Sequence, residues 1–308
     1  MVQIFQNREK SIQTIDLNFL GLTGAIAVYL LPHPYGAALI ECGPGSTIPA
    51  LQSGLNELGY SASNISDVFL THIHLDHAGA SGWLASQGAR IHVHPVGAPH
   101  LLDPGKLLAS AGRIYGDSME TLWGEFLPVP PDRLSVLEDG QSVDVHGLEL
   151  CPLDTPGHAN HHFAYLYENT CFSGDVGGVR LQGVHHLRLP LPPPEFNLEE
   201  WRASLAKLKQ QDFDIIAPTH FGVFDDPTWH LAALERALDE IEAWMEANLP
   251  SNPPFDLVNE EFLAWAGQRS QADGVPAQLI DVYEAANPSW MSTRGMQRYW
   301  QKHRVKQA

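Results

Sequence analysis

One ten-residue stretch, THIHLDHAGA at 71–80, constrains this chain more than any other. It follows SDVFL, an apolar run of buried-strand length, and runs into AGASGWLAS, which reads as a helix start. His72, His74 and Asp76 alternate, so an extended segment leaving the strand points all three the same way, and His77 follows where the chain turns. Three imidazoles and a carboxylate within six residues make a poor apolar core but a good ligand cluster for Zn, Fe or Mn. A fold that carries them must set the cluster at a strand end and bring further ligands from distant segments.

The chain holds 16 His, so pairs also arise by chance. His92 with His94, His161 with His162, and His185 with His186 read as core or surface histidines, because a short motif alone has little specificity. Pro95 ends the strand that carries the first pair.

At 308 residues the chain has ample length for a buried core, as one large or two modest domains. The formal net charge of −18 opposes attraction to nucleic acid or anionic membranes, so neither is expected as a partner. A small-molecule substrate is the expected partner, and a homodimer is compatible with this reading. The first residues, MVQIFQNREK, do not read as a signal peptide. No apolar run reaches the roughly 18 residues of a membrane span. Cys42, Cys151 and Cys171 are few, odd in number and not in CxxC spacing, which suits free thiols in a reducing compartment. A cytoplasmic location is expected.

Taken in order, residues 12–43 read as strands and turns, and GPGST at 43–47 as a tight turn beneath the metal site. Residues 97–128 form a helical insertion that holds Arg113, Tyr115 and Trp123 and suits a pocket wall. From 134 to 181 short strands return, two of them running into TPGH with His158 and FSGD with Asp175. A Pro-rich connector at 187–194 and an amphipathic helix precede DIIAPTHFG, another apolar strand that ends at a histidine, His220. Four strand ends thus deliver seven candidate ligands. Beyond 226 the pattern is helical, closing on a basic tail (Arg294, Arg298, Lys302, Arg304, Lys306) that reads as a solvated face. The expected division is a catalytic domain over 1–225 and a helical region over 226–308 packed on it.

These motifs, HxHxDH, TPGH, FSGD and PTH in that order, resemble the metallo-β-lactamase superfamily over residues 12 to 225. The resemblance implies an α+β fold, an αββα sandwich of two mixed sheets with helices outside and a C-terminal helical extension. It also implies a site at one edge. One metal would take His72, His74 and His158, a second Asp76, His77 and His220, and Asp175 would bridge them together with a hydroxide. Two divalent metal ions are expected, Zn first, with Fe or Mn as other candidates. Asp76 would mainly be a ligand, its second oxygen orienting the attacking hydroxide. The nearest branch is glyoxalase II-like: β-lactamases generally lack the bridging aspartate, flavo-diiron proteins carry glutamate where this chain has His74, and acyl-homoserine lactonases carry tyrosine where it has Gly178.

The implied activity is metal-dependent hydrolysis of a small ester, thioester, lactone or phosphodiester. The alternative is a mononuclear iron oxidoreductase resembling persulfide dioxygenases; a tRNA-processing-type nuclease fits the acidity less well. Arg180, five residues past Asp175, is expected to face the substrate with a forked guanidinium, and Tyr115 and Arg113 to line the pocket.

Overall fold

The computed structural model describes residues 2–7 and 10–305, so Lys306 of the basic tail lies outside the described residues. Short apolar runs punctuated by Gly, Pro and Asp turns form two mixed sheets. The first has seven strands in sequence order: β1 (Val2–Asn7), β2 (Lys10–Asp16), β3 (Ala27–His33), β4 (Gly36–Ile40), β5 (Ile65–Phe69), β6 (Arg90–Val93) and β7 (Leu134–Val136). β1 to β4 form an antiparallel meander, and β4 to β7 are parallel, joined by crossovers that carry helices. The second sheet runs β12 (Ile215–Ala217), β11 (Thr170–Phe172), β10 (Phe163–Tyr167), β9 (Leu148–Asp154), β8 (Val143–Val145), with only the β11–β12 pair parallel.

The period of two along β10 sorts its side chains into two cores. Phe163, Tyr165 and Tyr167 face the first sheet and share a core with Ile15, Leu30, Leu39 and Phe69. Ala164 faces the other way, with Leu153 and Cys171, onto helices α7 (Leu198–Leu208) and α8 (Pro227–Asn248) through Trp201, Leu205, Leu234 and Leu238. On the outer face of the first sheet lies α1 (Ile48–Glu57), where Gly54 abuts Ile15 with no room for a Cβ. The result is the αββα sandwich expected from the motifs, with C-terminal helices present.

The insertion is helical as read: α4 (Ala98–Leu102), α5 (Gly105–Tyr115) and α6 (Met119–Trp123) follow the short α2 (Leu75–Ala78) and α3 (Ser81–Ser86). After α8 come α9 (Phe255–Ala272), α10 (Ala277–Ala286) and α11 (Ser289–His303). A Cβ on Gly295 of α11 would collide with the Leu191 carbonyl of the Pro-rich connector. The Asn287 amide donates to Leu189 O at 3.0 Å, so α10 and α11 are fastened to that connector. Arg294, Arg298 and Lys302 are exposed as expected of a solvated face. Arg304 differs, because it ties α11 to α7 and α8 through Glu199 (2.8 Å) and Glu242 (2.5 Å). Among the described residues, no helix is long and apolar enough to cross a membrane, and the three cysteines are free.

Candidate metal centre

Four strand ends meet at one edge of the sandwich. β5 runs into the loop carrying His72 and His74, β9 into His158, β11 into Asp175 and β12 into His220. One local expectation is corrected: Asp76 does not continue an extended segment but sits with His77 in the first turn of α2, capped by His74. Helical φ/ψ there separates Asp76 from His72 and His74 and turns it toward His77 and His220. The GPG turn lies beneath this helix. Cys42 N–H and Gly43 N–H both donate to His77 O (3.0 and 3.2 Å), and a Cβ on Gly79 would meet Pro44 Cα at 2.6 Å, so a side chain there would push the helix away.

The ligand candidates form two groups. His72 Nε2 and His158 Nε2 lie 2.9 and 3.0 Å from His74 Nδ1. Asp76 Oδ2 lies 3.6 Å from His77 Nε2 and 3.5 Å from His220 Nε2. Asp175 stands between them. Its Oδ2 is 3.3 Å from His158 Nε2, and its Oδ1 is 3.3 Å from His77 Nε2 and 3.4 Å from His220 Nε2.

Four of the five candidate rings are held by a hydrogen-bond partner on their outward side. His158 Nδ1–H donates to Pro190 O (2.8 Å), His220 Nδ1–H to Ala25 O (2.7 Å), and His77 Nδ1–H to Glu41 Oε1 (2.9 Å). His72 Nδ1–H donates to Thr71 Oγ1 (3.0 Å), whose own hydroxyl donates to Glu41. With the ring neutral and its proton held outward, the inward nitrogen of His72 or His158 presents a lone pair toward His74, and that of His77 or His220 a lone pair toward carboxylate oxygens. His77 Nε2, His220 Nε2 and Asp175 Oδ1 are buried with no hydrogen-bond partner. Acceptors facing acceptors need positive charge between them, and this donor set of imidazole nitrogens and carboxylate oxygens fits divalent cations such as Zn, Fe or Mn.

The electrostatics follow from the same contacts. Burial, then His158 and His161, push His74 down to about 3, and burial drives His72 well below its ordinary value. Burial alone would raise Asp76, but His77 and His220 outweigh it and hold the carboxyl at about 2; Asp175 is held low in the same way by His77, His158 and His220. Burial opposes charge on His77, yet Asp175, Asp76 and Glu41 overcome it and raise this ring well above its usual range.

Three functional residues escaped the sequence reading. Glu41, fully buried at the end of β4, accepts Thr71 N–H (3.2 Å), Thr219 Oγ1–H (3.0 Å) and the bonds from Thr71 and His77 named above. Its φ of 67° is a left-handed conformation that costs a residue with a side chain, and such strain gathers at functional sites. His162, read as ordinary core, holds the Asp175 loop: its Nε2 accepts Asp175 N–H (3.2 Å) and Val176 N–H (3.4 Å). His161 lies beside His74 and pairs with Glu195 at 3.1 Å. His92 and His94 are buried and bonded to Asp67 (2.7 Å) and Asp154 (3.2 Å), in keeping with a core role.

Two substrate-facing expectations are corrected. Arg180 is 4% exposed, forked onto Asp226 (2.6 and 2.8 Å) and held between the Phe224 and Trp229 rings at 3.9 and 4.4 Å. Its guanidinium is thus engaged inside the fold. Its backbone N–H donates to His220 O (2.6 Å), and its O accepts from Phe221, so it braces the His220 loop instead. Arg113 projects from the exposed face of α5 and is absent from the cavity wall, whereas Tyr115, at the end of the same helix, lines it.

An αββα sandwich with a histidine–carboxylate centre at its edge defines a class of metal-binding proteins, and sequence comparison agrees. The chain belongs to the Metallo-beta-lactamase superfamily, whose profile matches residues 22–220. A solved metallo-beta-lactamase family protein from Thermus thermophilus superposes with a TM-score of 0.64, covering 98% of this chain and 93% of that one; at 21% identity this speaks to fold alone. An atrochrysone carboxyl ACP thioesterase of Aspergillus fumigatus is 31% identical over 53% of this chain and 40% of its own length. A hydroxyacylglutathione hydrolase of Aeromonas hydrophila is 26% identical over 48% of this chain and 45% of its own. The chain therefore spans less than half the length of these two relatives. Two of these relatives bear hydrolase names, and this chain shares their superfamily and a histidine–carboxylate cluster suited to metal.

Proposed function

We propose that this protein is a dinuclear metal-dependent hydrolase that cleaves a carboxylic thioester or ester, R–CO–XR′ + H2O → R–COOH + R′XH. The observation that supports two metals is Asp175: one carboxylate oxygen faces His158 and the other faces His77 and His220, so it can serve both halves at once. His72, His74 and His158 would hold one ion; Asp76, His77 and His220 would hold the other. Divalent ions bound there would acidify a water toward neutral pKa and polarise the substrate carbonyl.

The chain's own residues do the rest. Asp76, whose Oδ2 lies 3.6 Å from His77 Nε2, would orient the attacking water with its second oxygen, and Glu41 fixes the His77 ring through Nδ1. Tyr115 lines the cavity with its phenol pushed up by burial and by Asp76, so it stays a proton donor that can bond a substrate oxygen. No protein nucleophile is needed: Cys42 and Cys171 are buried, with thiols pushed up by burial.

Names of relatives favour thioesters over lactones or phosphodiesters. Elemental analysis is the test, paired with turnover of acyl thioesters in labelled water. About two Zn, Mn or Fe per chain with one solvent oxygen in the acid product is expected. One Fe per chain with no hydrolysis would support the dioxygenase-like alternative, and a trapped acyl-enzyme would sink the mechanism.

A further inference from the structure

Next to the metal ligands lies a cavity of ≈ 580 Å3, with His74, Asp76, His158 and Asp175 in its wall. Sites of about 300–1,000 Å3 enclose ligands of drug-like size, well beyond an acetyl or lactoyl group. Its lining comes from the loop between β2 and β3, the insertion, the Pro-rich connector and the junction of α10 with α11. Four rings from three of those segments touch in sequence. Phe19 stacks on Trp123 at 5.8 Å, Trp123 meets Tyr115 edge-on at 5.1 Å, and Tyr115 meets Trp290 edge-on at 5.9 Å.

At the wall stands Leu20, 50% exposed and left-handed at φ 54°. Asp16 fixes that loop by accepting Asn18 N–H (2.9 Å) and Gly24 N–H (2.8 Å). An exposed leucine held in an unfavourable backbone region points to a role outside folding. Cationic groups are scarce. Among the described residues, Lys106 is the only lysine or arginine in the wall. A carrier thiol bearing several carboxylates or phosphates would find little counter-charge here.

We infer that this cavity binds the acyl side of the substrate, and that the acyl group is bulky and apolar, a medium-chain alkyl or aryl group. The inference rests on the hydrolase reading above. The thiol or alcohol side then leaves toward solvent, and the aromatic wall, Trp290 above all, sets acyl specificity.

The test uses the metal-replete full chain and a series of thioesters from acetyl to decanoyl with one leaving thiol. The kcat/KM should rise about fourfold per methylene over the first few carbons, the factor equal to ~0.8 kcal/mol of transfer free energy. Trp290→Ala should cost the decanoyl ester about tenfold more than the acetyl ester. Ser110→Trp, which fills the cavity from α5, should do the same without removing a wall ring. Binding of N-phenyl-1-naphthylamine, an uncharged apolar fluorophore, should weaken in both variants.

A flat series in a protein that still cleaves the acetyl ester would overturn the acyl assignment and leave the hydrolase standing. If no thioester or ester is cleaved, the hydrolase reading falls. In that case, fluorophore binding unchanged in Trp290→Ala and Ser110→Trp would overturn the apolar site as well.

Discussion

In the half of the metal centre formed by His72, His74 and His158, burial and neighbouring imidazoles push rings toward their neutral forms. In the half formed by Asp76, His77 and His220, the carboxylates of Asp175, Asp76 and Glu41 outweigh burial and draw positive charge onto His77, with His220 raised by Asp175 and Asp76. The residue types are nearly the same, and the surroundings reverse their behaviour. The first half offers lone pairs ready for a cation; the second must exchange protons for one. Buried Glu41 touches the two halves unequally: it bonds the His77 ring directly and reaches the His72 ring only through Thr71.

The strongest way to break the comparison is to remove what the halves share. Asp175→Ala should lose metal from both and lower turnover beyond the roughly 10–100-fold that outer partners of a metal ligand are worth. Metal content and kinetics check this, against His158→Ala and His220→Ala, each of which should release one ion first. Retention of two ions by Asp175→Ala would remove the bridging role.

The next effect falls on the second half through the Arg180 brace. Asp226→Ala leaves a buried guanidinium unpaired and should cost about 3 kcal/mol, the low end for breaking a buried pair because Asp226 is 32% exposed. Denaturant unfolding measures it. The pH dependence has a defined sign. Arg180 holds the Asp226 carboxyl below its ordinary 3.8, so the pair's contribution is full above about pH 4 and fades as pH falls through the depressed value. The stability gap between the native chain and Asp226→Asn should shrink on acidification; a constant gap would show that the pair's charge is irrelevant.

Glu41→Gln sharpens the comparison further. It should weaken metal binding by roughly 10–100-fold in the His77 half and less in the His74 half, which it reaches only through Thr71 and His72, as chelator competition would reveal. Equal weakening of both halves would contradict the asymmetry. The smallest effect is Arg113→Ala on the exposed face of α5, for which stability and kinetics should both stay within error.

How much of this was legible in the sequence depended on how local each signal is. His72, His74, Asp76 and His77 lie within six residues, and each remaining candidate closes an apolar run, so strand ends marked them. The sheets followed from the same runs. Glu41 left no such mark: it ends the run AALIE, and its partners Thr71 and Thr219 are 30 and 178 residues away. His161 and His162 looked like a chance pair because their partners, Glu195 and the Asp175 backbone, come from later segments. Arg180 failed for a different reason. Spacing from Asp175 gives distance along the chain but not the side of the loop, and the Asp226 fork with two flanking rings claimed the guanidinium.

The fastening of α10 and α11 to the connector has a consequence for how such a protein changes over generations. The superfamily profile ends at residue 220, yet Trp290 and its neighbours wall the cavity from beyond that point. Part of the wall is thus encoded outside the stretch that carries the candidate ligands, while Tyr115 and Trp123 come from within it. A lineage could change its C-terminal helices, and with them that part of the cavity, while the candidate ligands stayed as they were. Gly295 limits that freedom, since any side chain there would lift α11 off Leu191 and open the wall.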